Sequence, residues 1–125
     1  MSKAILIAED EPHIRMLIEQ TIEELEDEGV EILTAADGEA AMGLAEEHKP
    51  DLVLLDVMMP KLNGFEVCER IKSHAGLTAT QVFLLTAKGQ EYDRARGEAA
   101  GADAYITKPF DPDHLLAAAR RAVGL

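Results

Sequence analysis

Short apolar runs alternate along the chain with stretches in which apolar residues recur every three or four positions. Each run has the length of a strand and is bounded by polar residues, Gly or Pro, and the first, third and fourth are nearly continuous, as in strands covered on both faces. The runs lie at residues 4–8, 31–35, 52–55, 82–85 and 104–106. The alternation predicts five β-strands separated by helices.

The stretches between and after these runs predict five helices. The apolar face of the first helix comprises Ile14, Leu17, Ile18, Ile22 and Leu25, and Gly29 ends the helix. Asp37 is a typical N-cap for a second helix that runs to about His48, and the dipeptide Asn63-Gly64 opens the third. Asp111 caps the fifth helix, with Pro112 at the first helical position.

The fourth predicted helix, residues 90–100, is the poorest in apolar side chains. Its inward face consists mainly of Ala95 and Ala99, so little apolar surface is available to hold it against the sheet. We therefore expect it to be the most weakly anchored element.

Five strands alternating with five helices, a (βα)5 order, predict a doubly wound α/β fold. Its five-stranded parallel sheet would carry helices on both faces. No internal repeat, low-complexity tract or linker interrupts the 125 residues, so we expect a single domain over residues 1–125.

Composition narrows the classes of partner. With 12 basic and 24 acidic residues the formal net charge is −12, so we expect no direct binding to nucleic acid. No apolar run approaches the roughly 20 residues of a membrane helix, and no export signal is evident. The lone Cys68 excludes an internal disulfide framework. A cytoplasmic location without a membrane partner is the expectation.

Polar residues follow four of the predicted strands. Glu9 and Asp10 follow the first strand, Asp56 the third and Thr86 the fourth, and Lys108 lies just beyond the fifth. Ligands of open parallel sheets bind outside the carboxyl ends of the strands, where these residues would meet.

Such a cluster has a defined chemistry. Three close carboxylates repel each other by on the order of 4 kcal/mol per pair at an effective dielectric constant of 20. They stay ionised together only around a cation, for which Mg²⁺ is the usual choice beside phosphate, or else one of them gains a proton. With Lys108 and the Thr86 hydroxyl as phosphate-binding groups, Asp56 becomes a candidate nucleophile in phosphoryl transfer.

Four motifs in register resemble the response-regulator receiver family of two-component signalling. They are Ile-Ala-Glu-Asp-Glu-Pro (7–12), Leu-Leu-Asp-Val-Met-Met-Pro (54–60), Leu-Thr-Ala (85–87) and Thr-Lys-Pro-Phe (107–110). The resemblance runs the full length of the chain in the family's order. It implies a flavodoxin-like fold with strand order 2-1-3-4-5 and a cis peptide bond before Pro109.

The resemblance also implies a role for each site residue. It makes Asp56 the phosphoacceptor, Asp10 a direct Mg²⁺ ligand, Glu9 a ligand through water, the Met58 backbone carbonyl a further ligand, and Thr86 and Lys108 the groups that bind the phosphoryl oxygens. Many relatives have Asp where this chain has Glu9, and the longer side chain would alter Mg²⁺ affinity. The bulky Met58 would slow the attack of water on the phosphorylated site.

A switch and its partners follow from the same resemblance. Thr86 would move toward the phosphoryl group and Tyr105 would turn inward behind it. The output surface would be the fourth helix, fifth strand and fifth helix, facing a downstream protein or domain or a second copy in a homodimer. The phosphoryl donor would be a sensor histidine kinase or a histidine phosphotransfer protein that docks against the first helix.

Two other functions fit parts of this pattern. A phosphatase of the haloacid dehalogenase type needs a second Asp two residues after the nucleophile, where this chain has Met58, and usually a cap domain. A phosphorylation-independent interaction module on the same fold would be expected to lack an acid-pocket residue, and none is lost. The expected function is thus a phosphoacceptor switch, not an enzyme. Both a stand-alone protein and the receiver part of a larger regulator fit the sequence.

Overall fold

The computed structural model describes residues 3–87 and 91–125. The strands are β1 Lys3–Ala8, β2 Val30–Ala35, β3 Leu52–Asp56, β4 Gln81–Ala87 and β5 Ala104–Lys108. The helices are α1 Pro12–Ile22, α2 Gly38–His48, α3 Gly64–Ser73, α4 Glu91–Ala100 and α5 Pro112–Ala122, with 3-10 segments at Glu23–Glu28 and Ala75–Leu77. The predicted alternation is confirmed.

All five strands are parallel, in the order β2-β1-β3-β4-β5, which confirms the predicted doubly wound topology. Successive residues of a strand point to opposite faces of the sheet. On β1, for example, Leu6 enters the core beneath α2, α3 and α4, whereas Ile5 and Ile7 enter the core beneath α1 and α5. Helices therefore cover both faces, and the ends of β1, β3, β4 and β5 share one edge.

The predicted caps are confirmed by their hydrogen bonds. The Asp37 side chain accepts from the Ala40 N–H at 2.8 Å, and the Asp111 side chain accepts from the Asp113 N–H at 3.0 Å. Asn63 forms a reciprocal capping box with Glu66. These caps define where α2, α3 and α5 begin.

The first helix differs from its prediction in two respects. Regular α-helix ends at Ile22 and continues as a 3-10 segment, which Gly29 ends in the left-handed conformation with φ 89°. Leu17, predicted to face inward, is 48% exposed. Leu17 lies about 100° around the helix from the buried Ile18, at the edge of the apolar face.

The predicted inward face of α4 was wrong. Over residues 95–100, Ala95 and Ala99 are exposed, and Gly97 and Ala100 are buried against the sheet. A Cβ at position 97 would lie 2.5 Å from Cε1 of Tyr105, so glycine is what lets α4 approach β5. Gln90, where this helix was predicted to begin, lies outside the described residues.

Within the ranges 3–87 and 91–125, no helix combines the length and the apolar character needed to cross a membrane.

Candidate functional site

The turn after β1 holds Glu9 in a buried position. The Glu9 N–H donates to the carbonyl oxygen of Ala35 at 3.0 Å, which extends the pairing of β1 with β2 by one residue. The side chain is 1% exposed, and its two oxygens accept from the Lys108 ammonium at 2.7 Å and from the Glu11 N–H at 3.2 Å. Glu9 is therefore fixed against the end of β5.

Asp56 is the last residue of β3 and is 4% exposed. Its Oδ1 accepts from the Lys108 Nζ at 3.1 Å. The loop after β3 folds back so closely that a Cβ on Gly64 would lie 2.4 Å from the Asp56 carbonyl oxygen, and the Gly64 N–H donates to the Val57 carbonyl at 3.0 Å. Only a glycine fits at the start of α3, and the fit sets the position of Asp56.

Glu9, Asp10 and Asp56 each place a carboxylate oxygen within 4.8 Å of the others. Asp10 is exposed, so the cluster reaches solvent on its side, whereas Asp56 is buried. Oxygen donors of this kind suit a hard divalent cation such as Mg²⁺. The donor set thus fits the predicted ion.

The electrostatics of the cluster reflect an excess of negative charge. Burial is the largest cause that raises the pKa of Glu9 above its usual value, and the neighbouring Asp56 carboxyl is the second. Burial and the adjacent Glu9 carboxyl likewise raise the pKa of Asp10. Burial alone would lower the pKa of Lys108, but the Glu9 and Asp56 carboxylates together raise it. One ammonium cannot balance three carboxylates, so a bound cation would relieve the remaining repulsion.

The other predicted site residues lie around this cluster. Thr86 is 8% exposed and is paired with Thr107 across β4 and β5, at the same sheet edge. The Lys108–Pro109 peptide bond is cis. Met58 is 70% exposed in the loop after Asp56.

Tyr105 is paired with Leu84 on β4, two residues before Thr86. It is half-buried on β5, and its ring packs against α4 at Gly97 and against the core beneath α3 and α4. The structure thus brings Glu9, Asp10, Asp56 and Lys108 together, and it places the Tyr105 ring against α4.

Three residues contribute to the site although the sequence analysis did not assign them to it. Glu11 caps α1, and its N–H also binds Glu9. Arg15 donates from Nη1 to the Glu9 carbonyl oxygen at 2.8 Å. Gly64 makes the close approach to Asp56. Pro12 at the first helical position could have indicated that Glu11 is the helix cap. Nothing local in the sequence indicates that Arg15 contacts the Glu9 carbonyl oxygen.

The sequence model of the response regulator receiver domain matches residues 5–120. The chain belongs to the response regulator receiver domain family. Its fold and its acidic edge agree with that membership.

Two relatives illustrate the range of the family. The alkaline phosphatase synthesis transcriptional regulatory protein PhoP of Bacillus subtilis is 43% identical over 117 residues, which cover 94% of this chain and 47% of PhoP. Protein PilG of Pseudomonas aeruginosa is 32% identical over 119 residues, covering 95% of this chain and 86% of PilG. The chain thus spans about half the length of PhoP and most of the length of PilG.

A solved structure adds a metal to the comparison. The receiver domain of the sensor histidine kinase PA1611 from Pseudomonas aeruginosa is 29% identical and superposes with a TM-score of 0.85, with all of both chains covered. That structure has a magnesium ion coordinated in its active-site cleft.

Proposed function

We propose that this receiver domain takes a phosphoryl group onto Asp56 in a Mg²⁺-dependent reaction and thereby switches its α4-β5-α5 surface. The observation that carries the proposal is the convergence of three carboxylates and the Lys108 ammonium at one end of the sheet. Membership of the family and the magnesium-containing PA1611 domain support the choice of ion.

The cation would be held by the acidic residues. Asp10 and Asp56 would bind it directly, Glu9 through water, and the Met58 backbone carbonyl would complete the set. When bound, Mg²⁺ would balance the charge of the carboxylates and of the incoming phosphoryl oxygens.

The chemical step needs no separate general base, because a carboxylate nucleophile has no proton to lose before it attacks. An Asp56 oxygen attacks the phosphorus of a phosphohistidine, the P–N bond breaks and the imidazole leaves with its electron pair. Lys108, now bonded to Glu9 and Asp56, would turn toward the transferred oxygens together with the Thr86 hydroxyl. Water later releases phosphate, and Met58 would limit that attack.

The phosphoryl donor would be a sensor histidine kinase or a histidine phosphotransfer protein that docks on α1. An apolar groove of about 310 Å³ beside the site supports this placement, with Ile14, Leu17, Lys108, Pro109 and Phe110 in its walls. An exposed apolar surface next to an acceptor is suited to a partner that must bring its own reactive group close.

The output would pass through Thr86 and Tyr105 to the surface of α4, β5 and α5. Tyr105 is suited to this role because its ring contacts α4 while its strand ends at Lys108. A downstream protein or domain, or a second copy of the chain, would read that surface. The reaction involves only the domain's own Asp56, so we class it as a switch and not as an enzyme; its cytoplasmic location stays a prediction.

Incubation with acetyl phosphate, with and without Mg²⁺, tests the proposal by intact mass. We expect wild type and the exposed-residue control Asp27→Asn to gain one phosphoryl group only with Mg²⁺, and Asp56→Asn to gain none. Hydroxylamine should remove the group, as it does from an acyl phosphate. A folded wild type that binds Mg²⁺ but gains no phosphoryl group would instead support the phosphorylation-independent interaction module.

A further inference from the structure

Arg15 reaches back from the first turns of α1 to the main chain of the acidic turn. Its Nη1 donates to the Glu9 carbonyl oxygen at 2.8 Å and lies 3.5 Å from the Asp10 carbonyl oxygen. The guanidinium therefore lies along the main chain of Glu9 and Asp10, two of the three residues whose carboxylates cluster.

Arg15 and Lys108 donate to different kinds of atom in the acidic cluster. The Lys108 ammonium binds carboxylate oxygens of Glu9 and Asp56, which are the atoms that a metal ion needs. The bonds of Arg15 go to main-chain oxygens of the turn. Arg15 can thus steady the turn without competing for its ligand atoms.

Arg15 lies near the N-terminus of α1, four residues after the Glu11 cap. The partial positive charge at a helix N-terminus disfavours a nearby cation, and the first turn of α1 contains no acidic residue. A residue that opposes the local electrostatics is expected to have a compensating contact elsewhere. In this structure the compensating contact is the pair of carbonyl oxygens before α1.

Asp10 depends on this contact more than Glu9 does. Glu9 is also held by its N–H bond to Ala35, by Lys108 and by the Glu11 N–H. Asp10 is exposed, and Nη1 of Arg15 lies 3.5 Å from the Asp10 carbonyl oxygen. Loss of Arg15 should therefore loosen the carboxylate that is proposed as a direct metal ligand.

We propose that Arg15 is a positioning residue of the acidic site, which fixes the Glu9–Asp10 main chain so that three carboxylates converge on one divalent cation. The inference rests on the proposed function, because it assumes that the cluster binds Mg²⁺. It adds a residue outside the motif positions that hold the ion.

Charge and position make opposite predictions for the removal of Arg15. If the guanidinium acted only as a nearby positive charge, removing it would tighten the binding of a cation to the carboxylates. If it positions the turn, removing it would weaken that binding, since loss of groups that orient metal ligands typically costs 10- to 100-fold in affinity. The sign of the change therefore separates the two roles.

The first experiment is calorimetric titration of the whole chain with Mg²⁺. We expect Arg15→Met to bind Mg²⁺ about tenfold more weakly than wild type, and Arg15→Lys to fall between them because an ammonium still donates. Arg70→Met, which removes an exposed arginine from α3, is the matched control and should stay close to wild type. Unchanged or tighter binding by Arg15→Met overturns the inference.

The second readout is the Mg²⁺ dependence of phosphorylation by acetyl phosphate. For a positioning residue, the half-saturating Mg²⁺ concentration should rise in Arg15→Met while the rate at saturating Mg²⁺ returns close to that of wild type. A rate that stays low at saturation would overturn the role. Circular dichroism checks folding, and Arg15→Gln replaces Arg15→Met in both assays if the latter does not fold.

The two proposals fail in distinguishable ways. A wild type that neither binds Mg²⁺ nor accepts a phosphoryl group would overturn the proposed function. A wild type that does both, beside an Arg15→Met variant with the same Mg²⁺ affinity, would overturn the role of Arg15 alone.

Discussion

Helices α3 and α4 lie side by side on one face of the sheet, and each brings a glycine against a neighbour. A Cβ on Gly64 of α3 would lie 2.4 Å from the main-chain carbonyl oxygen of Asp56. A Cβ on Gly97 of α4 would lie 2.5 Å from Cε1 of the Tyr105 ring. The distances are nearly equal, but backbone cannot yield at Gly64, whereas a side chain can turn away from Gly97.

The two helices also differ in how they are anchored. Besides Gly64, α3 buries Phe65, Val67, Cys68 and Ile71, and the Asn63–Glu66 capping box defines its start. Over residues 95–100 of α4, by contrast, the buried positions are Gly97 and Ala100. Helix α3 is therefore suited to hold Asp56, the proposed acceptor, in place, and α4 is suited to change position.

The seam between the two helices consists of adaptable contacts. The Arg96 guanidinium lies 4.4 Å from the centre of the Phe65 ring, and the Cys68 thiol donates to the Ala100 carbonyl oxygen at 3.5 Å. These contacts involve a long side chain and a weak donor. Such a seam can rearrange without loss of the core beneath it.

The largest effect should come from the core anchor of α3. Ile71→Ala removes a fully buried side chain and should lower the free energy of unfolding by about 2–5 kcal/mol. Ala95→Gly, at an exposed position in α4, should cost only about 1 kcal/mol through helix propensity. Urea unfolding of both variants measures the difference, and equal costs would contradict the contrast in anchoring.

The next effect should come from Gly64. Gly64→Ala forces a methyl group into the Asp56 main chain, and overpacking of this kind costs about 1–3 kcal/mol. Because the displaced residue is the proposed acceptor, the variant should also lose most of its phosphorylation by acetyl phosphate. A variant that is destabilised but phosphorylated at the normal rate would show that the approach of Gly64 serves stability alone.

A smaller effect concerns the pH dependence of stability that arises from Cys68, at the contact between α3 and α4. Burial raises the pKa of the Cys68 thiol from 9.0 to about 11. Between these values the unfolded chain loses a proton that the folded chain keeps, so stability should fall as pH rises from 9 to 11. The loss should be on the order of 1 kcal/mol, since one pKa unit corresponds to about 1.4 kcal/mol.

Denaturant unfolding of wild type and Cys68→Ala across this range isolates the thiol. Other groups titrate in both proteins, so the stability advantage of wild type over the variant should shrink with rising pH. A constant difference would mean that the thiol ionises equally in the folded and unfolded chains.

The smallest effect on stability should come from Gly97. Gly97→Ala gains about 1 kcal/mol of helix propensity, which should roughly offset the displacement of the Tyr105 ring. Gly43→Ala on α2, where the added Cβ would meet no atom within 4 Å apart from its chain neighbours and the backbone of its own helix, should show that gain without the displacement. Unfolding free energies compare the two.

Although its stability should change little, Gly97→Ala should move Tyr105. Fluorotyrosine incorporated into a Tyr92→Phe background gives one ¹⁹F signal, which should shift on Gly97→Ala and stay in place on Gly43→Ala. An unshifted signal in a folded variant would mean that α4 moves away and the ring does not.

The sequence by itself determined the order of elements and the chemistry at one sheet edge. Alternating apolar periods predicted all five strands, and short polar side chains at Asp37, Asn63 and Asp111 marked three helix starts. Glu9 and Asp56 could be placed together because parallel strands end at a common edge. These are local signals, or signals that follow from topology once the sheet is known to be parallel.

Only the tertiary structure decided which surfaces meet. Helix α4 has too few apolar residues to define a face, so packing against Tyr105 turned Gly97 and Ala100 inward and left Ala95 and Ala99 exposed. The sequence placed Lys108 at the same sheet edge, but only the structure shows that its ammonium donates to both Glu9 and Asp56, which lie 99 and 52 positions away. No periodicity encodes such distances, because they depend on how side chains of fixed length meet after the strands have paired.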